Sequence, residues 1–216
     1  MSAPGYPWAG HASARSRLLE AAIATVSALG YEIVTVEMIV DVAGVGEGDF
    51  ERSFADKDEC CRRAFEDVCD HFDRHLLPVY ARTAPAPAKI RAAAYACADY
   101  CREYQQRARY GLQVRSRYGR TSRAEQSLKF HLGQMDSLRD EDTAHRIPAA
   151  AAELSVGFFA GHAIRLDASG RLGELRASIP SLLYSVYNVY LGRSAAERLL
   201  QDEEIRGSQQ LPNRSI

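Results

Sequence analysis

Thr35-Val36-Glu37-Met38-Ile39-Val40-Asp41-Val42-Ala43-Gly44-Val45-Gly46-Glu47-Gly48-Asp49-Phe50-Glu51-Arg52-Ser53-Phe54 is the stretch whose reading decides the fold. Val36, Ile39, Val40 and Ala43 recur at steps of three and four, the spacing of one apolar helical stripe, and Thr35 stands where a helix cap belongs. Gly44 breaks that helix and permits a positive φ, and Val45 restarts the apolar contact. A very short segment carrying Phe50 and Phe54 follows. Two short helices locked across a glycine turn are a helix-turn-helix candidate, whose second helix would enter a major groove of DNA. Spacing alone is a weak signal, because many helical hairpins contain a glycine.

Helical periodicity extends in both directions. Upstream, Leu18, Ala22, Val26 and Leu29 form a stripe that Gly30 would stop. Downstream, Asp56 with Glu59 three residues later reads as a capping-box start. The helix it opens carries Cys61, Phe65, Val68, Phe72 and Leu76 on one face and is expected to end near Pro78. The run from Thr83 to Ala88, rich in alanine and proline, reads as a linker. Further stripes follow at Ile90, Ala94, Cys97, Cys101 and Tyr104, then at Leu128, Leu132, Met135 and Leu138. Ala151, Leu154, Phe158, Gly161 and Ile164 line the next helix, and Pro180 should start or kink the last strong segment, Leu175 to Leu191. No alternating strand pattern of useful length appears. The expected fold is all-α. A loose arm (1–12) precedes a three-helix helix-turn-helix head (13–60), a larger helical bundle (61–201) and a polar tail (202–216).

Composition narrows the class. The 216 residues are 46% hydrophobic and 25% charged, with a net charge of −1, ordinary for a soluble globular protein and unlike a uniformly basic nucleic-acid binder. The opening Met1 to Ala12 lacks the cationic start and apolar core of a signal peptide. The most apolar stretch, Pro148 to Leu166, is interrupted by Glu153, His162 and Arg165 and reads as a buried helix rather than a membrane span. Five cysteines read most simply as free thiols in a reducing cytoplasm. There is no Gly-rich phosphate loop, no G-x-S-x-G elbow and no H-E-x-x-H, so no enzyme is expected. A di-metal bundle would need two Glu-x-x-His motifs, and the nearest match is a single Asp142-Thr-Ala-His145. No metal or cofactor is expected.

From Arg17 to Cys60 the chain resembles the N-terminal domain of TetR-family transcriptional regulators, of the actinobacterial type. The resemblance is carried by Arg17-Leu18-Leu19-Glu20-Ala21-Ala22, Leu29-Gly30-Tyr31, Thr35 to Ile39, Ala43-Gly44-Val45, Gly48, Phe54 and Lys57-Asp58-Glu59, without a gap. It covers about a fifth of the chain. It implies DNA contacts from Arg15, Thr35, Gly46, Glu47, Asp49, Phe50, Arg52 and Lys57, the last at the family's phosphate-contacting position. Leu182-Leu183-Tyr184 and Tyr190-Leu191-Gly192 resemble the family's last long helices, which pair with a second subunit. Gly157, Ala160 and Gly161 suit either that close approach or packing within one subunit.

The recognition segment departs from the family. Gly46 stands where serine is common, Glu47 where a basic or small residue is, Asp49 where threonine is, and Glu51 where tyrosine supplies a phosphate contact. Between His11 and Arg62, Arg15, Arg17, Arg52, Lys57 and Arg62 face ten acidic residues, a formal charge of −5. Phosphate neutralisation supplies most non-specific affinity, so such a head should hold DNA weakly. A carboxylate also accepts from cytosine N4, so Glu47 or Asp49 has a route to base reading.

The resemblance therefore implies a ligand-responsive repressor, a homodimer on palindromic operator DNA released by a small, largely apolar ligand. Tyr95, Tyr104, Phe130, Phe158 and Phe159 are candidate cavity residues and equally candidate core. The alternative is a dimeric ligand- or partner-binding protein that keeps the fold without operator recognition. A third reading, a redox sensor, would require Cys60, Cys61 or Cys69 to be exposed with a depressed pKa. Arg102, Arg107, Arg109, Arg115, Arg117, Arg120 and Arg123 make the most basic stretch. It would suit an acidic ligand, or a helical surface with internal ion pairs.

Overall fold

A computed structural model describes residues 13–139 and 147–209, with 202–209 as backbone alone. The 1–12 arm, the Asp142–His145 segment and the end of the tail lie outside the described residues. Among those described, the chain is helical without a strand: α1 Ala14–Leu29, α2 Val36–Ala43, α3 Glu47–Ser53, α4 Lys57–Tyr80, α5 Ala86–Glu103, α6 Gln105–Tyr118, α7 Ser122–Asp136, α8 Ala151–Ala168, α9 Leu175–Leu191 and α10 Arg193–Gln209. The chain divides into two compact units. One is drawn from residues up to His75 with Tyr100–Leu128, the other from Leu76–Asp99 with the residues from Lys129 on.

The first unit has a core that no single helix completes. Leu18, Ala22 and Val26 of α1 meet Ile39, Val40 and Ala43 of α2, Phe50 of α3 with Phe54 just beyond it, and Cys61, Phe65 and Val68 of α4. Tyr110, Val114 and Tyr118 bring α6 into the same cluster. Leu29, the expected end of the α1 stripe, is instead exposed. It precedes the turn at Gly30, where the chain leaves the core.

Local signals explain the boundaries. Ser13 caps α1 and Thr35 caps α2, each accepting from an amide three residues on. At the other end of α2, Gly44 adopts φ 60° and ψ 44°, the left-handed region. Its amide donates to the Asp41 carbonyl and the Val45 amide to the Val40 carbonyl, closing the helix with the paired bonds of a Schellman turn. Ahead of α4, the Asp56 carboxylate accepts from the Glu59 amide at 2.8 Å while Glu59 accepts from the Ala55 amide at 2.9 Å. α4 passes through Pro78 to Tyr80 rather than stopping at it, and α5 already includes Pro87 in its first turn, where a missing amide costs nothing. α9 begins five residues before Pro180. Helical backbone also continues past Gln201, where the sequence turns polar, to Gln209.

In the second unit the expectation for α8 is reversed. Its inward face is Ala151, Ala152, Ser155, Ala163 and Leu166, whereas Leu154, Phe158, Gly161 and Ile164 face outward. The helix is apolar nearly all round, so periodicity cannot say which face its own unit covers. The small side chains pack inward and the large ones remain outside. Buried Leu172, Leu175, Ile179, Leu182, Leu183 and Tyr187 continue this core through a short 3-10 turn (Leu172–Glu174) into α9. The Tyr187 hydroxyl donates to the Pro87 carbonyl at 2.6 Å.

No atom lies within 4 Å of where a Cβ at Gly44 would stand, so the cost of a side chain there is conformational alone. Gly44→Ala should lower the stability of the first unit by about 1–2 kcal/mol, and Gly44→Asn by less. Urea unfolding measures both, and equal midpoints for the three proteins would contradict the left-handed cap.

Candidate nucleic-acid interface

α3 is short, and two rings hold it down. Phe50 is buried and packs against Phe54 with ring centroids 5.7 Å apart. Phe50, expected among the DNA contacts, is therefore a core residue that positions the helix. With that side anchored, Glu47, Gly48, Glu51 and Arg52 face solvent. Gly46 is the N-cap, and its amide donates to the Asp49 carboxylate at 3.2 Å. The other oxygen of Asp49 pairs with the Arg52 guanidinium. Thr35 is exposed at the start of α2, with its hydroxyl accepting from the Met38 amide. Glu37 beside it is held below the ordinary carboxylate range, first by the Thr35 hydroxyl and then by a backbone amide.

Every cation between Ser13 and Arg62 has an internal partner. Arg15 donates to the Ser53 carbonyl at 2.7 Å and lies 4.5 Å from the Phe54 ring. Arg17 donates to the Gly44 carbonyl at 3.2 Å. Lys57 donates to the carbonyls of Tyr31 (3.1 Å) and Val34 (2.9 Å) and sits 4.2 Å over the Tyr31 ring. Arg62 pairs with Glu66 and Glu59, and Arg52 with Asp49. Arg15, Arg17 and Lys57 thereby tie distant segments of the head together, whereas Arg52 and Arg62 pair with near neighbours in sequence. Of them, Arg52 has a side chain 72% exposed.

Three arginines of the arginine-rich stretch, Arg107, Arg117 and Arg123, make ion pairs within the first unit. Arg107 bridges Glu20 of α1 and Asp67 of α4, the latter at 2.7 Å. Arg117 lies 4.1 Å from the Tyr31 ring and within ion-pair reach of Glu32 and Asp58. Arg123 pairs with Asp70 and with Asp73, a buried carboxylate that also accepts from the Ser127 hydroxyl. Tyr118 and Tyr31 both donate to Asp58, and burial pushes the Tyr118 phenol far above its ordinary pKa. The Tyr110 hydroxyl, fully buried, donates to the Cys61 carbonyl at 2.6 Å. Heptad and charge patterns contain no hint of these long-range pairs, which join residues up to 87 positions apart.

The five candidate cavity residues have separate environments. Tyr104 belongs to the first unit, in a cluster of rings with His71, His75 and Tyr100 whose centroids are 4.6–5.9 Å apart. In the second unit Tyr95 lies under Arg176, which pairs with Asp99, and Phe130 packs edge-on against Tyr80. Phe159 is half-buried, and Phe158 turns outward.

Two of the three candidate redox thiols, Cys60 and Cys61, are buried, and Cys69 is half-buried. Burial, the largest cause, pushes Cys61 up to about 11 and Cys69 up to about 12, with Cys60 higher still. That is the opposite of the depressed pKa a redox sensor needs.

No family model and no curated protein sequence matches the chain. Solved structures do. The chain is similar to the fatty acid degradation regulator FadR of Bacillus halodurans, with a TM-score of 0.65 and 15% identity over 82% of this chain and 95% of that one. A TetR-like transcriptional regulator of Rhodococcus sp. RHA1 gives a TM-score of 0.65 and 14% identity, covering 82% and 96% of the two chains. SmeT, the repressor of the Stenotrophomonas maltophilia multidrug efflux pump SmeDEF, gives 0.62 and 20% identity, covering 83% and 91%. At these identities the likeness establishes the fold: the chain has the all-α fold of TetR-type regulators.

Alkylation of Cys60, Cys61 and Cys69 at pH 8, mapped by mass spectrometry, should be about a hundredfold slower in the native protein than in urea. Because unfolded thiols ionise near pH 8.5 and the native ones higher, these groups also make stability fall as pH rises above about 8.5. Equal labelling rates in the two states would contradict the burial.

Proposed function

We propose that this chain is a ligand-responsive, DNA-binding transcriptional regulator of the TetR type, acting as a repressor in the cytoplasm. The observation that carries the reading is the α2–Gly44–α3 unit. Its second helix is anchored by Phe50 and Phe54 and presents Glu47, Gly48, Glu51 and Arg52 outward, free of core duties. A helix so presented is the element that enters a major groove.

Two heads are needed for a palindromic operator, and the second unit offers a surface for a second copy. Leu154, Phe158 and Ile164 of α8 are 67%, 52% and 43% exposed, and Val189 of α9 is 48% exposed. Gly157 and Gly161 of α8 have open space where a Cβ would stand, so another helix could approach closely. Large apolar groups left outside a monomer favour association. A small, largely apolar ligand would act by binding one head spacing better than the other, the differential affinity that release of DNA requires. Its candidate binding residues within the second unit are Tyr95, Phe130 and Phe159.

A specific observation favours a second reading. The segment from His11 to Arg62 carries a formal charge of −5, and all five of its cations have partners within the chain. A protein that keeps the fold and the dimer but binds only a ligand or a protein partner would look like this.

Binding to duplex DNA from the chain's own upstream region, beside a random duplex and across a salt series, separates the two. The regulator should prefer the upstream duplex, with affinity falling as salt rises along a shallow slope, because few phosphates are neutralised. A folded dimer that binds neither duplex at low salt would remove the regulator reading. Independently, Phe158→Glu should convert the dimer to monomer in sedimentation equilibrium, and an unchanged dimer would place the interface elsewhere.

A further inference from the structure

Gly48, Asp49 and Arg52 form a unit whose organisation exceeds what folding the head requires. Asp49 has both carboxylate oxygens occupied. One accepts from the Gly46 amide at 3.2 Å, which fixes the side chain across the first turn of α3. The other accepts from Nη2 of Arg52, one turn further on. Gly48 supplies the space, since a Cβ there would stand 3.2 Å from Nη1 of Arg52, tighter than an ordinary contact. The guanidinium is thus held by Asp49 in the space that Gly48 leaves open, although its side chain is 72% exposed. A pair this exposed contributes little to stability. What it does provide is orientation.

We infer that Arg52 is a preorganised guanine reader, with Asp49 as its positioning residue, so that the operator half-site carries a guanine under Arg52. This rests on the reading of the head as a DNA-binding element and names what that element recognises. With Asp49 on the Nε-side hydrogen of Nη2, Nη1 and the second Nη2 hydrogen would form a parallel donor pair. That pair matches the O6 and N7 acceptors of guanine in the major groove. The carboxylate also offsets the arginine's charge, which makes the guanidinium a poorer phosphate anchor while leaving its planar fork intact. Neutralised charge with preserved geometry suits a base contact more than a backbone contact. The remaining outward groups of α3, Glu47 and Glu51, are carboxylates and cannot donate to guanine.

Selection from a random duplex pool by the full-length wild type, Arg52→Ala and Asp49→Asn proteins tests this. Wild type should enrich half-sites with one G·C pair that both variants lose, the other selected positions being kept. Replacing that guanine by 7-deazaguanine, which removes N7, should weaken wild-type binding about tenfold or more and leave Arg52→Ala nearly unaffected. Gly48→Ala should shift Arg52 and reduce the same preference without changing the unfolding midpoint by more than a small amount. A selected guanine that survives Asp49→Asn would overturn the positioning role, and insensitivity of the wild type to 7-deazaguanine would overturn the guanine contact. If wild type enriches other positions but no guanine, the inference fails and the regulator stands. Enrichment of nothing by a folded protein removes both.

Discussion

The guanidinium of Arg107 meets Glu20 of α1 and Asp67 of α4 at one point, and the first unit depends on that junction. Arg107 belongs to α6, so a single side chain joins three helices whose sequence neighbours are far apart. The burial that raises the Glu20 carboxyl is countered there by the guanidinium. Further along the same helix, Tyr110 donates to the Cys61 carbonyl and Gln113 to the Ser27 carbonyl, and Arg117 and Tyr118 gather Asp58 and Tyr31. One face of α6 thereby contacts the head at nearly every turn. Two of these bonds, Arg107 to Glu20 and Gln113 to the Ser27 carbonyl, join α6 directly to α1.

The same junction explains the head's charge. An acidic head repels itself as well as DNA. Its acids are tolerated because α6 supplies arginines for Glu20, Glu32, Asp58 and Asp67, while the head's own cations turn to carbonyls at helix ends. Lys57 shows the consequence: a residue at a phosphate-contacting position by resemblance instead closes the turn between α1 and α2 through two carbonyls. The outward face of α3 thus carries one oriented cation, Arg52 paired with Asp49, rather than an excess of positive charge.

The sequence by itself determined the helical class, the cap at Thr35, the stop at Gly44, the start of α4 and the buried stripes Leu18–Val26 and Cys61–Leu76, because each depends on local periodicity or on one residue's backbone preference. Tertiary structure decided the rest. It made Phe50 an anchor, paired Arg107, Arg117 and Arg123 with distant carboxylates and set Leu154 and Phe158 outside while Ala151 and Ala163 went in. Those outcomes depend on which face a distant helix covers and which carboxylate a distant arginine finds. Spacing along one helix carries no record of either, since an apolar face is apolar whether its own unit or a second copy buries it.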